Sequence, residues 1–400
     1  MRGLRLSESA YASEHAFWVA GTQLMGRATS FAGQKDASSQ GVRFDTVSKS
    51  YGASRVVSDF SLSVEPGEFV TILGPSGSGK TTVLNMLAGF TGADQGSIHI
   101  GDRDVTSLAP EARGLGMVFQ SFALFPHLTV LQNVEFPLRM RKVDAKLRRK
   151  QAIAALERVQ LTDLLHRRPD QISGGQKQRV SLARALVFNP PVLLMDECLS
   201  ALDLKLREQL QLEIKKLHRE LRSTILFVTH DQGEAMAMAD RIAVMDAGKL
   251  IQLGTPSAIY DTPVNRFVAG FIGKTNIFDL VSGTNSVPSI ECVSIHRWPD
   301  VWTRQTGSVV VRPTKIVPIL GADRQDFSFS ALVTDRAFLG QYHQYCVELD
   351  NGKEILIQSS TGMGFDAIQP GNRFQFGFSA QNALPLVNHR HDGALNGEQQ

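Results

Sequence analysis

The sequence has little cysteine, no long apolar run and no large excess of either charge, and each shortage excludes something. The three cysteines, Cys198, Cys292 and Cys346, are odd in number, far apart and form no metal-ligand pair. That argues against a disulfide framework or a cysteine-held zinc site and fits a reducing compartment. No apolar stretch reaches the roughly 18 residues a membrane-spanning helix needs, so any membrane role must come through a partner chain. A formal net charge of +3 is too mild to argue for nucleic acid. No internal repeat is visible, and 400 residues are too many for one typical domain, so two are expected.

Residues 1–40 hold one apolar stretch, Ala16–Ala20, which is too short for a signal-peptide core and directly follows Glu14 and His15. A disordered extension, or a start placed too far upstream, is expected there; a partner-binding amphipathic segment is the other reading. From Gly41 the pattern turns regular. Val42, Phe44 and Val47, then Val57, Phe60, Leu62 and Val64, predict strands with turns at Tyr51-Gly52 and Pro66-Gly67. Phe69–Leu73 predicts a buried strand running into a Gly-rich loop, and Thr81–Ala88 a helix closed by Gly89. Residues 121–189 read as mostly helical. Strands return at Val192–Met195 and Thr224–Thr229, with Leu206, Leu210, Ile214, Leu217 and Leu221 at helical spacing between them. Strand, helix, strand in that order implies a parallel sheet. After about Lys274 short strands dominate, with a hairpin signal at Asn351-Gly352, predicting a small all-β domain, a barrel by its pattern. The tail 388–400 is polar and expected to be disordered.

Gly74-Pro75-Ser76-Gly77-Ser78-Gly79-Lys80-Thr81 fits G-x-x-x-x-G-K-[ST]. Glycines let successive backbone N–H groups curl around a phosphate, and the helix that starts here turns its positive end to the anion. Lys80 brings a point charge to the terminal phosphates, and the Thr81 hydroxyl, with Thr82 beside it, can ligate Mg²⁺. Val192–Met195 runs into Asp196-Glu197, two acids at the carboxyl end of a buried strand, where a ligand crevice is expected. Asp196 is expected to hold Mg²⁺ and Glu197 to polarise an attacking water. Ser173-Gly174-Gly175-Gln176 precedes the helical stretch Val180–Leu186 as an N-cap with exposed donors, a second anion site.

That last element resembles the signature motif of ABC ATPases. The resemblance implies an α/β P-loop NTPase domain over 41–275, with a helical subdomain at about 121–189, followed by an all-β OB-like TOBE domain over 276–387. It also implies ATP hydrolysis with Mg²⁺, and a head-to-tail homodimer in which Ser173, Gly174, Gly175 and Gln176 close over ATP held by the Lys80 loop of the other copy. By the same resemblance Tyr51 matches an adenine-stacking aromatic, although alone it would read as a packed strand residue. Gln120 matches a glutamine that senses Mg²⁺ and water. Ser200-Ala201-Leu202-Asp203 matches the D-loop, whose plain reading is a helix N-cap, and His230 matches the switch histidine. Two positions depart from the family pattern: Cys198 stands where Pro is frequent, leaving a redox switch as an alternative there, and Thr314 stands where Glu usually follows Val311-Arg312-Pro313.

Gln120–Val130, Phe136–Arg139, Gly254-Thr255-Pro256, Phe271–Gly273 and Asn276 are similar to the importer branch that handles polyamines, ferric iron and sugars. The resemblance therefore implies two transmembrane permease subunits, a periplasmic or extracellular solute-binding protein, no nucleic acid, and a peripheral place on the cytoplasmic face of the inner membrane. A spermidine/putrescine-like solute is the first expectation. Iron, a sugar or another small organic solute, and a soluble non-transport ABC ATPase, are the alternatives. Arg139–Lys150 carries seven basic residues in twelve; a solvated helix face is the plain reading and attraction to anionic lipid the other.

Overall fold

The computed structural model describes residues 39–200, 202–282, 288–297, 299, 306–319, 324–360 and 368–387. Nearly all of the expected N-terminal extension, and the whole C-terminal tail, lie outside the described residues. The chain forms two compact units, Met1–Pro256 and Ser257–Gln400.

The first unit holds strands β1 (Val42–Tyr51), β2 (Ser54–Val64), β3 (Phe69–Leu73), β4 (Gln95–Ile100), β5 (Arg103–Asp104), β6 (Gly116–Val118), β7 (Val192–Asp196), β8 (Thr224–Thr229), β9 (Arg241–Asp246) and β10 (Lys249–Gly254). Its helices are α1 (Lys80–Ala88), α2 (Val130–Met140), α3 (Ala145–Arg158), α4 (Gly174–Leu186), α5 (Leu204–Leu221) and α6 (Gln232–Met238). Strands β2-β1-β4-β5 make an antiparallel sheet. The alternation along β1 and β2 turns Phe44 and Phe60 into the core, where the rings meet edge-on at 5.4 Å.

The larger sheet runs β10-β9-β3-β8-β7-β6 and is parallel except for β10 at its edge. Every residue of β3 and β8 is buried, as expected for central strands covered on both faces. The register pairs Leu73 with Thr229, Asp196 with Val228 and Val118 with Met195. The carboxyl ends of β3, β7, β8 and β6 therefore open at one edge of the sheet. The Gly74 loop, Glu197, His230 and Gln120 all leave from that edge, where open α/β sheets take ligands.

Local chemistry sets the helices. Gly79, at φ 97°, turns the chain into α1, and Gly89, at φ 88°, closes it by donating to the Asn85 carbonyl. Thr129 and Gln132 form a capping box on α2, and Asp144 caps α3. The expected helical region begins later than its first residue: 121–129 are turns and loop. The basic run ends α2 and opens α3, and among the described residues none of its seven cations is in an ion pair. In α5 the expected apolar face buries Leu210, Ile214 and Leu217, with Leu206 and Leu221 half-buried.

The second unit opens with α7 (Pro256–Asp261), which the division cuts after its first residue, and α8 (Arg266–Phe271). Strands β11 (Asn276–Ser282), β12 (Pro288–Ile290), β13 (Ser294–Ile295), β14 (Thr306–Val311), β15 (Val317–Pro318), β16 (Phe327–Phe338), β17 (Tyr342–Glu348), β18 (Glu354–Ser360), β19 (Arg373–Phe378) and β20 (Ala383–Val387) follow. They pair antiparallel as β12-β11-β14-β20 and β15-β19-β16-β17-β18, with β13 on β16. The single barrel suggested by the strand pattern is thus two sheets over one core, because alternation shows which face is buried but not which strand is the neighbour. Phe278, Phe327 and Phe378 stack in that core. Asn351-Gly352 turns β17 into β18, with Gly352 at φ 79°.

The units divide well before the expected 275/276 boundary, and Arg312 gives the reason. Its buried guanidinium donates to the carbonyls of Tyr260 (2.6 Å), Ala269 (3.1 Å) and Ile272 (2.7 Å) and lies 4.1 Å from the Tyr260 ring. It therefore holds α7 and α8 to the β-rich unit. Thr314 sits exposed on the short turn that follows.

Candidate active site

The loop from Gly74 is built for a close approach. A Cβ on Gly74 would lie 2.3 Å from the Met245 carbonyl oxygen and one on Gly79 2.8 Å from that of Val56. Neither position has room for a side chain. Ser76 and Gly77 are exposed and Pro75 is half-buried at the mouth of the loop. Ser78 is buried, and among the described residues its hydroxyl has no hydrogen-bond partner. Lys80 is 5% exposed and donates to the carbonyls of Gly74 and Pro75, both at 2.9 Å. Burial pulls its pKa below the ordinary lysine value, while the nearby Glu197 and Asp196 carboxylates act the other way. Thr81 is exposed and Thr82 half-buried on the first turn of α1.

Glu197 joins two of the other expected residues. Its Oε1 lies 3.2 Å from His230 Nδ1, and its Oε2 accepts a long 3.5 Å bond from Gln120 Nε2. Its backbone sits at φ 41°, the left-handed region, and its N–H is bonded to the Val228 carbonyl at 2.9 Å. A non-glycine residue held there costs on the order of 1–3 kcal/mol, a strain that collects at functional sites. The turn aims the carboxylate away from β7, between the ends of β6 and β8. Asp196, half-buried one residue earlier, faces Lys80 closely enough to act on its charge.

The other expected residues stand apart from that cluster. Ser173 Oγ accepts from the Gln176 N–H, and Gln176 Oε1 accepts from the Ser173 N–H at 2.9 Å, a capping box at the start of α4. Gly174 is exposed. A Cβ on Gly175 would meet Leu206 at 2.5 Å, so glycine there lets α4 pack on α5. Asp203 Oδ1 caps α5 by accepting from the Leu206 N–H at 3.0 Å, which is the plain reading of that residue. Tyr51 is 52% exposed, unlike a packed strand residue, on the hairpin whose Val56 abuts Gly79. The redox reading of Cys198 does not hold: the thiol is fully buried, and burial pushes its pKa up, away from the reactive thiolate.

The profile of the ABC transporter family matches residues 57–200, and that of the TOBE domain matches residues 309–386. The chain is similar to the spermidine/putrescine import ATP-binding protein PotA of Haemophilus influenzae, 44% identical over 326 residues covering 79% of this chain and 87% of that one. The protein of that name from Vibrio cholerae is 44% identical over 324 residues, covering 79% and 86%. This chain belongs to the ABC transporter ATP-binding protein family. The dimeric post-hydrolysis structure of the ATP-binding cassette MJ0796, bound to ADP and Pi, superimposes on 54% of this ABC ATPase and 98% of its own length, with a TM-score of 0.50 at 35% identity.

The donors at the nucleotide site suit Mg²⁺. The Thr81 hydroxyl, the Asp196 carboxylate and the Gln120 amide would offer hard oxygen donors, too few to cage an ion. Mg²⁺ tolerates such a set, because substrate phosphates and water complete its octahedron.

Sequence reasoning missed an arginine that shapes the Gln120 loop of this ABC ATPase. Phe122 and Ala123 are consecutive non-glycine residues at φ 65° and 47°. Their carbonyls accept from Arg184 Nη2 (2.9 Å) and Nη1 (2.6 Å), and Arg184 is fully buried on α4. A cation inside the otherwise uncharged stretch Val180–Leu186 was the available signal. Arg184→Met leaves both carbonyls without that donor, and a loss of roughly 2–5 kcal/mol is expected. Urea unfolding should show a lower midpoint with an unchanged slope. An unshifted midpoint would mean the loop holds its own shape.

Proposed function

We propose that this chain is the ATPase subunit of an importer for a polyamine such as spermidine or putrescine. Two copies close head-to-tail on two ATP molecules. They sit peripherally on the cytoplasmic face of the inner membrane against two transmembrane permease subunits, and a solute-binding protein outside delivers the solute. The observation that carries the reading is the Glu197 carboxylate held between Gln120 and His230 beside the Lys80 loop. The names of the relatives support import and the polyamine. Among the described residues no helix is long and apolar enough to cross a membrane, in keeping with transport through partner chains.

In this reading Gly74–Thr82 bind the phosphates, and Tyr51 stacks on the adenine. The opposite copy supplies Ser173–Gln176 to the γ-phosphate and Asp203 to the interface. Bound Mg²⁺, held by Thr81, Asp196 and Gln120, neutralises phosphate charge. Glu197 takes a proton from water as its oxygen bonds to the γ-phosphorus and the bond to the β-phosphate oxygen breaks, leaving ADP and phosphate. Lys80 and His230 hold the γ-phosphate oxygens as charge shifts toward ADP.

The test is ATP hydrolysis by the assembled transporter in proteoliposomes, with its binding protein and candidate solutes. Spermidine or putrescine should raise the rate several-fold, and ferric iron or maltose should leave it at the basal level. Stimulation by iron or a sugar alone would overturn the polyamine assignment. A chain that never associates with permease subunits would overturn transport.

A further inference from the structure

One arginine joins the segment after Glu197 to the turn that carries His230. Arg207 lies on the first turns of α5. Its Nη2 donates to the carbonyls of Leu202 (3.0 Å) and Ser200 (3.4 Å), and its Nη1 donates to Asp231 Oδ2 at 3.1 Å. Ser200 is tied back to the Glu197 carbonyl through both its N–H and its hydroxyl. On the other side Asp231 and Thr229 flank His230 and are locked together. The Asp231 N–H donates to Thr229 Oγ1 at 3.0 Å, Asp231 Oδ1 caps α6 at the Glu234 N–H, and Thr229 Oγ1 donates to Glu234 Oε2 at 2.5 Å. The guanidinium thus bridges the two segments, beside the His230–Glu197 contact and the Glu197 N–H bond to the Val228 carbonyl.

One bond in this network is open. Arg207 Nε and Glu234 Oε1 are buried and form an ion pair at 3.8 Å, but among the described residues neither has a hydrogen-bond partner. A buried donor and carboxylate oxygen without a hydrogen bond cost free energy that closing by under about 1 Å would recover. The remaining guanidinium bonds fix where that closing motion can go, because the fork is planar and rigid.

We propose that Arg207 is a positioning residue for hydrolysis, setting the Ser200 and Leu202 carbonyls against the turn Thr229–Asp231 and so holding His230 in line with Glu197. It acts through Asp231. Movement of Ser200 and Leu202 as two copies close pulls Arg207 toward Glu234, and the pinned turn carries His230 with it. This rests on the roles given above to Glu197 and His230.

The test is steady-state ATP hydrolysis and ATP binding by the full chain carrying Arg207→Gln, Arg207→Lys, Asp231→Asn or the Gln/Asn double change. Arg207→Gln should lower kcat by about 10–10²-fold, the scale of a small misplacement at a reacting centre, with the Kd for ATP unchanged. Arg207→Lys, which can reach one partner but not both, should restore part of the rate. The double variant should be no slower than the slower single variant, since both changes cut one link. A normal kcat in Arg207→Gln, a raised KM at normal kcat, or losses that multiply in the double variant would each overturn the proposal. Should Arg207→Gln fail to fold, Asp231→Asn retains the Oδ1 cap and carries the same expectation. Glu197→Gln run in parallel separates the two levels. If it hydrolyses normally, the catalytic assignment itself fails; if it is inactive while Arg207→Gln is normal, only the role of Arg207 fails.

Discussion

Glu197→Gln is expected to bind ATP as the unaltered chain does and to lose hydrolysis by on the order of 10²–10⁴-fold, the usual contribution of a general base. The change keeps the size of the side chain and one carbonyl oxygen, so the bond to His230 or to Gln120 can persist, but an amide cannot take the proton from water. ATP then stays at the interface instead of becoming ADP. A nucleotide that bridges two copies and is not consumed stabilises the closed pair by mass action. Size exclusion with ATP and Mg²⁺ should therefore show a dimer that the unaltered chain populates only transiently, and exchange to ADP should dissolve it. A variant that stays monomeric with ATP yet turns over normally would remove Glu197 from the chemistry. The strained backbone adds a second expectation. At φ 41°, glycine fits more easily than Glu, so Glu197→Gly should lose activity without losing stability. That would mark the side chain, not the fold, as the reason for the strain.

Much of the site was legible in the sequence because its parts are local signals at strand ends. The apolar runs Phe69–Leu73, Val192–Met195 and Thr224–Thr229 predict buried strands, and β3, β7 and β8 follow them closely. Each run ends in residues poorly suited to packing: a Gly-rich loop with lysine, two acids and a histidine. Their meeting was not legible, because it depends on the order β3-β8-β7 and on a register that pairs residues far apart in the chain. Strands β9 and β10 escaped notice for the same reason, since nothing local says that Arg241–Asp246 lies beside β3. Arg184 and Arg207 were missed because a buried arginine is defined by the carbonyls and carboxylates around it, which come from other segments. The attachment of α7 and α8 was not legible either: helical periodicity fades near Lys274, but Arg312 bonds the carbonyls of Tyr260 and Ile272 before it.

Lys80→Met should cost about 3–4 kcal/mol of ATP binding, on the order of 10²–10³-fold in Kd, because it removes the charge that meets the terminal phosphates inside a buried loop. The geometry makes the substitution specific. Two of the three ammonium protons are held by the Gly74 and Pro75 carbonyls, which orient the group and leave the third for a phosphate oxygen. Methionine fills much the same volume and carries no proton, so the loop keeps its packing and loses its charge. The same lysine sets a pH dependence whose sign follows from its surroundings. Burial lowers its pKa, against the pull of Glu197 and Asp196, so the ammonium gives up its proton below the ordinary value of 10.5. Phosphate binds the protonated form, so ATP affinity should hold through neutral pH and fall as pH rises through the lowered pKa. Bound ATP should in turn raise that pKa by linkage. Equilibrium dialysis of ATP between neutral pH and pH 10 should show the alkaline loss in the unaltered chain and a flat, weak profile in Lys80→Met. A variant that binds normally would show that the phosphates rest on backbone N–H groups alone. An alkaline loss that survives in the variant would assign the titration to another residue.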